Sequence, residues 1–226
     1  MRLHGFAEGV WIAHAPQKLY GWELGTRMTI LRLQDETLLV HSPIALDATL
    51  KSEIEALGPV AHVVAPSLFH HLYCADAARA FPDAMLHGPE GLSKKRPDLR
   101  LHAVLGKETP SSWRDSLDTL SIEGTLLGET VFLHRRSRTL VCADLVENFS
   151  TADDWWTRLY LKAGGVYGKI GLSRMLRLAY RDRNQARRDI DRILSWDFDR
   201  IVLAHGDPIS SNASEALGQT YAWLKG

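Results

Sequence analysis

The chain has only two cysteines among its 226 residues, Cys74 and Cys142, far apart and with no C-x-x-C pair. A disulfide framework and a cysteine-built zinc site are thereby excluded, and the usage fits a reduced, cytoplasmic setting. No apolar run approaches the roughly 20 residues that a bilayer-spanning helix needs, and no charged start followed by an apolar stretch reads as a targeting leader. A membrane is therefore not an expected partner. Neither sign of charge prevails, since 27 Lys and Arg stand against 27 Asp and Glu. Without a basic surplus nothing draws the chain as a whole to nucleic acid, and a small-molecule substrate or ligand is the expected partner. Linker-like Ser/Gly/Pro-rich stretches are also missing, so residues 1–226 are expected to form one domain. The sequence specifies no oligomeric state.

What is present is an alternation of two periodicities. Apolar and β-branched runs predict strands at Val10–His14, Met28–Leu33, Thr37–His41, Val60–Ala65, Ala84–His87, Thr130–His134, Thr139–Ala143 and Arg200–Ala204. The turn "QDE" joins the second and third as an antiparallel hairpin. Helical spacing appears in "LDATLKSEIEALG", with Leu46, Leu50, Ile54 and Leu57 on one face. It recurs in "YCADAARAF", in "DRNQARRDIDRILSW" with Asp182 as its cap, and in "NASEALGQTYAWLK". Strands and helices interleave along the whole chain, so a layered α/β architecture is expected.

Between Asp153 and Arg183 the pattern breaks into an excursion dense in aromatic, glycine and arginine residues. It reads either as a packed segment with a solvated basic face or as a cover over a substrate site. Its "AGGVYGKI" is not a phosphate loop, because Ala163 stands where that motif needs glycine and Ile170 where it needs a hydroxyl. No G-x-S-x-G elbow marks a serine hydrolase. Cys74 reads as a buried apolar group rather than a nucleophile.

Four predicted strands run directly into side chains that titrate or bind metals: "TLLV" into His41, "HVVAPSLF" into His70 and His71, "TLVCA" into Asp144, and "IVLA" into His205. Ligands of open α/β sheets bind beyond the carboxyl ends of strands, where side chains from several segments converge. Imidazole and carboxylate are the common ligands of zinc and related ions, and three of them leave an open position for water. His71, Asp144 and His205 are taken as that set, for one divalent ion, zinc by preference. Asp144 would then sit at the catalytic centre, beside a bound water acidified for hydrolysis. His70 could be a fourth ligand or a substrate contact. If the set holds a metal, the ligand atoms should lie roughly 3 to 4 Å from one another. The other six histidines have no spacing that singles them out.

The order "TILRLQDETLLVHSPI", "VVAPSLFHHLYCADAARAFPDAMLHGPEGL", "TLVCADL" and "IVLAHGDPI" resembles the metallo-β-lactamase superfamily, most closely a branch known only as a domain of unknown function. The resemblance runs from about Trp11 to Pro208 and is weakest between Asp153 and Leu178. It implies a four-layer αββα sandwich with the site at one edge between two sheets. It places His70 and His71 on the final D-H pair of the motif T-H-x-H-x-D-H, Asp144 on the metal-bridging aspartate, and His205 on the last ligand. The H-x-H pair has no counterpart around Ser67–Phe69, and the P-G-H-T segment is matched by "EGTLLGET", without histidine. The first metal position is thus stripped, leaving one ion or none. His41 replaces a common aspartate and is expected as a hydrogen-bond partner behind the ligands rather than as a ligand. Two functions follow as expectations: a mononuclear metal-dependent hydrolase, or a non-catalytic binding module that kept the fold and lost its metals.

Overall fold

The computed structural model describes residues 2–106 and 109–225. In chain order the strands are β1 (His4–Ala7), β2 (Val10–Ala15), a short hairpin of β3 (Lys18–Leu19) and β4 (Trp22–Glu23), β5 (Thr26–Arg32), β6 (Leu38–His41), β7 (Val60–Val64), β8 (Met85–Pro89) and β9 (Ala103–Leu105). There follow β10 (Leu117–Ser121), β11 (Thr130–His134), β12 (Thr139–Val141), β13 (Glu147–Asn148), β14 (Ile170–Gly171) and β15 (Arg200–Val202). One sheet has the order β1-β2-β5-β6-β7-β8-β9, and a second the order β10-β11-β12-β15. The expected hairpin is present, with β5 and β6 antiparallel, whereas β6, β7, β8 and β9 run parallel.

The helices are α1 (Ala48–Glu55), α2 (Cys74–Ala80), α3 (Leu92–Lys95), α4 (Trp155–Gly164), α5 (Arg174–Arg177), α6 (Arg183–Leu194) and α7 (Ala213–Thr220). Successive side chains of a strand point to opposite faces, and here both faces are apolar. Ile30, Leu38, Val40 and Val63 therefore pack with Leu50 and Ile54 of α1 and with Cys74 and Ala77 of α2. Their neighbours Leu31, Leu39 and Val64 point the other way, onto Phe132, Val141 and Val202 of the second sheet. Beyond that sheet, Val131, Leu133, Leu140 and Ile201 meet Ala186, Ile190 and Ile193 of α6 and Leu217 of α7. Three apolar layers between four layers of elements make the αββα sandwich. Each fully buried Leu or Ile contributes about 1.5–3 kcal/mol, and the double-faced strands place such residues in two apolar layers at once.

Helix starts follow the capping chemistry. The Asp182 carboxylate accepts from Gln185 N at 3.0 Å, as the sequence predicts, and Asp47 caps α1 through Leu50 N at 2.7 Å. The excursion folds into α4, β14 and α5. Trp22 stacks on Tyr160 of α4 at 4.0 Å between ring centroids, and Glu23 N donates to Thr157 Oγ1 at 2.7 Å, fastening it to the β3–β4 hairpin. Arg158, Lys162, Lys169 and Arg174 are exposed on it, while Gly165, with φ +79°, closes α4. No helix among the described residues is long and apolar enough to cross a membrane.

Candidate metal centre

Register delivers two of the side chains. β12 and β15 are parallel neighbours with Val141 opposite Val202, so the residues three positions beyond each, Asp144 and His205, leave the sheet at the same level. The third comes from the first sheet, where His41 pairs with Val64 and the chain beyond β7 turns through residues 65–73. There the Ser67 hydroxyl accepts from both Phe69 N and His70 N at 3.1 Å. Holding these amides fixes the turn that swings His70 across the gap between the sheets.

His70, Asp144 and His205 converge. His205 Nε2 lies 3.2 Å from His70 Nε2, His70 Nε2 lies 3.4 Å from Asp144 Oδ1, and His205 Nε2 lies 3.5 Å from Asp144 Oδ1. Among the described residues this is the one group of three or more metal-capable side chains within such reach. A tetrahedral zinc with bonds of about 2.05 Å sets its ligand atoms about 3.3 Å apart. The near-equilateral triangle has that size.

Protonation sharpens the fit. His205 Nδ1 lies 2.8 Å from Gly25 O, and a carbonyl can only accept, so the ring carries its proton there and presents a bare Nε2 lone pair. Burial, followed by His70, pulls the His205 pKa down and keeps the ring neutral. The Asp144 carboxyl is pushed up by burial but held below its usual range by His70, with His205 adding to the effect. Two electron-rich atoms thus face His70 Nε2, and a third lone pair there would be repelled unless a cation lies between them. Burial lowers the His70 pKa, yet Asp144 and then Glu129 outweigh it, so the net shift is upward. In the metal-free protein a proton on His70 Nε2 fills this role. A divalent ion held there would take the place of that proton, and His70 Nδ1–H would then donate to Ser42 Oγ, 3.0 Å away.

Several residues hold this arrangement, and sequence reading found neither Ser42 nor Glu129. Ser42 follows β6 directly, with φ +51° in the left-handed region that side chains rarely adopt, and its N donates to Val64 O at 3.0 Å. Glu129 is buried, and its carboxylate accepts from Ala143 N at 2.6 Å and from Asp144 N at 3.1 and 3.2 Å. Burial first and the Asp144 charge second raise its pKa. It occupies the "GET" stretch that matches G-H-T of the resembled family, and both its oxygens are spent on the backbone that aims Asp144. Arg27 donates to Leu203 O at 2.5 Å and Gly206 O at 2.7 Å, bracing the turn around His205. Gly206 itself has φ +94°, and a Cβ there would lie 2.0 Å from Asn148 O, so only glycine fits.

Two expectations need correction. His71 is not in the triangle; its Nδ1 accepts from Arg96 Nη1 at 3.0 Å, and burial, then Lys95 and Arg96, lowers its pKa. Both adjacent rings line the cleft, but the Ser67-held turn sends His70, not His71, to the donors. His41 is not the partner behind the ligands either. Among the described residues its Nε2 has no hydrogen-bond partner, its ring stands edge-on to Phe132 at 5.2 Å, and burial pushes its pKa down to about 3. Its neighbour Ser42 takes that part. Cys74 is fully buried and its thiol is pushed up to about 12 by burial, in keeping with a core residue.

The triangle forms the floor of a cleft of about 520 Å³. Leu24, Leu127, Leu176 and Ala179 line it with His70, Asp144 and His205, and the excursion supplies one wall through Met175, Leu176 and Ala179. The exposed basic residues of the excursion are not among the lining groups.

Residues 7–93 match the family model described as a domain of unknown function, DUF4336. No curated protein matches the chain in sequence. Among solved structures, the chain is similar to a metallo-β-lactamase from Pontibacter korlensis, at 14% identity and a TM-score of 0.69, covering 99% of this chain and 98% of that one. It is also similar to a metallo-β-lactamase from Hirschia baltica, at 13% identity and TM-score 0.67, covering 99% and 96%. A third, from Erythrobacter litoralis, has 12% identity and TM-score 0.65, covering 99% and 91%. At such identities the likeness is one of fold, and the architecture is that of a metallo-β-lactamase.

Proposed function

We propose, on the premise of a metallo-β-lactamase fold, that this chain is a mononuclear metal-dependent hydrolase of a small molecule, with His70, Asp144 and His205 as ligands and zinc as the preferred ion. The observation that carries the reading is the triangle of 3.2, 3.4 and 3.5 Å built from two imidazole nitrogens and a carboxylate oxygen. A divalent ion held there supplies Lewis acidity and brings the acidity of water towards neutral pH. The chain's own groups prepare the site. Gly25 O and Ser42 Oγ orient the two imidazoles, Glu129 fixes the backbone of Asp144, and Arg27 braces the turn of His205. Partners of this kind set both the direction and the basicity of ligands. His71 lines the cleft beside the triangle and is placed to contact substrate.

The competing reading is a binding module without metal. It draws on Ser67 and Glu129, whose polar atoms are spent on backbone amides at the places where the family's other ligands would fall. A panel of chromogenic carboxylic esters and lactams, assayed with zinc and then with excess chelator, separates the two. The hydrolase reading expects turnover that chelation abolishes and that His205→Ala lacks. Absence of turnover across the panel, with no thermal stabilisation by zinc, would favour the module.

A further inference from the structure

The lining of the cleft, taken with its floor, says what kind of molecule fits. Most of its wall is hydrocarbon: Leu24, Leu72, Leu127, Met175, Leu176 and Ala179 surround the polar floor. The apolar surface continues onto the rim, where Leu72 is 56% exposed, Phe69 53% and Met175 42%. Exposed apolar side chains gathered round one opening have a solvation cost that an apolar occupant relieves. A cluster of cations for a polyanion is missing among the described lining residues. Lys95 is the single Lys or Arg there, and its ammonium is already engaged with Leu68 O at 2.5 Å and lies 4.6 Å from the centre of the Phe69 ring. A nucleotide, a sugar phosphate or another phosphate ester would find no clamp of two or three cations of the sort such groups use.

We infer that the cleft takes a neutral carboxylic ester carrying a hydrocarbon chain of medium length, the chain lying along Leu72, Met175 and Leu176 and the ester group over the triangle. The inference rests on the hydrolase reading for the ester, and on the wall alone for the chain. The reaction consumes water: its oxygen bonds to the acyl carbon, the bond from that carbon to the alkoxy oxygen breaks, and a proton from the water passes to the departing alkoxide. The products are a carboxylic acid and an alcohol. Selectivity comes from area, because each methylene taken from water into an apolar wall is worth about 0.8 kcal/mol when fully covered, which is about fourfold, and about half that energy, or twofold, in an open cleft.

Two measurements on the full chain test this. Metal-free protein is titrated with 1-butanol, 1-hexanol and 1-octanol by NMR, and zinc-supplemented protein is assayed on the p-nitrophenyl esters of acetic, butyric, hexanoic and octanoic acids. Both are repeated on Leu72→Asp and Met175→Asp, whose parent side chains are exposed enough for the fold to tolerate the change, with a melting curve as control. The expected result is an alcohol Kd that falls and a kcat/KM that rises about two- to fourfold per methylene, with both series flattened in the two variants at unchanged zinc content. Alcohols that bind without regard to length, or a length dependence untouched by both variants, would overturn the inference even if short esters are cleaved. A steep alcohol series without any ester turnover would instead sink the hydrolase reading, and the ester with it, while leaving the hydrocarbon wall.

Discussion

Stability should depend on pH through Glu147, and the size of the effect can be worked from its surroundings. Glu147 lies in β13, three residues beyond Asp144, and its Oε2 accepts from Ser173 N at 2.7 Å. This bond ties the excursion, just before α5, to the segment that carries Asp144. Burial raises the carboxyl from 4.5 to about 7; the Ser173 bonds hold it back, and the Asp144 charge adds to the rise. Between pH 4.5 and 7 the folded protein therefore binds more protons here than the unfolded chain. The stabilisation is complete below pH 4.5 and is lost as pH rises through 7. Spanning that gap at about 1.4 kcal/mol per pH unit gives roughly 3 kcal/mol. In Glu147→Gln the amide oxygen still accepts from Ser173 and never ionises. Urea unfolding of both proteins from pH 4.5 to 8 should show the parent losing about 3 kcal/mol relative to the variant, most of it between pH 5 and 7. Parallel pH profiles, or a parent that gains on the variant as pH rises, would show that Glu147 is not buried as a neutral acid.

Other consequences follow from single contacts. Ser42→Ala removes the only oxygen placed on His70 Nδ1 among the described contacts and should weaken zinc binding about 10- to 100-fold in a competitive chelator titration, with little change in melting temperature; an unchanged affinity would show that Ser42 does not orient the ring. Glu129→Ala leaves the buried amides of Ala143 and Asp144 without their acceptor and should cost about 2 kcal/mol or more in stability, read by denaturant midpoint, together with zinc binding. Cys74 and Cys142 are buried, and burial raises both thiols, so Ellman's reagent should leave the native protein untouched for minutes and count both thiols in urea.

Much of the scaffold could be read from the sequence because its strands are apolar on both faces. "TILRL", "TLLV", "HVVA" and "TVFL" announce β5, β6, β7 and β11, whose alternate residues fill different layers. Asp182 and the stripe of Ala186, Ile190 and Ile193 announce α6 in the same way. Most of what escaped was short or polar: β1 is largely exposed, the apolar pattern of β10 is interrupted by Asp118 and Thr119, and the β3–β4 hairpin has two residues per strand; the ten-residue α4, inside the aromatic excursion, escaped as well. The site divides along the same line. Asp144 and His205 were legible because each stands a fixed step beyond a paired strand. The sequence ranks His71 above His70, and the structure reverses that order, because the Ser67 hydroxyl, three residues before His70, decides which ring crosses the gap. Nor could Glu129 or Ser42 be seen, since one acts through backbone amides distant in sequence and the other through a left-handed turn beside the histidine that drew attention. The one available signal was the acidic residue of "GET", standing where the resembled family has a ligand.

Whether His70, Asp144 and His205 hold a single ion is read by counting metal in the purified, zinc-supplemented protein and in two variants at adjacent histidines. Elemental analysis should find about one zinc per chain in the parent, the same in His71→Ala, and almost none in His70→Ala. Zinc retained by His70→Ala but lost from His71→Ala, or no zinc in the parent, would contradict a single ion held there.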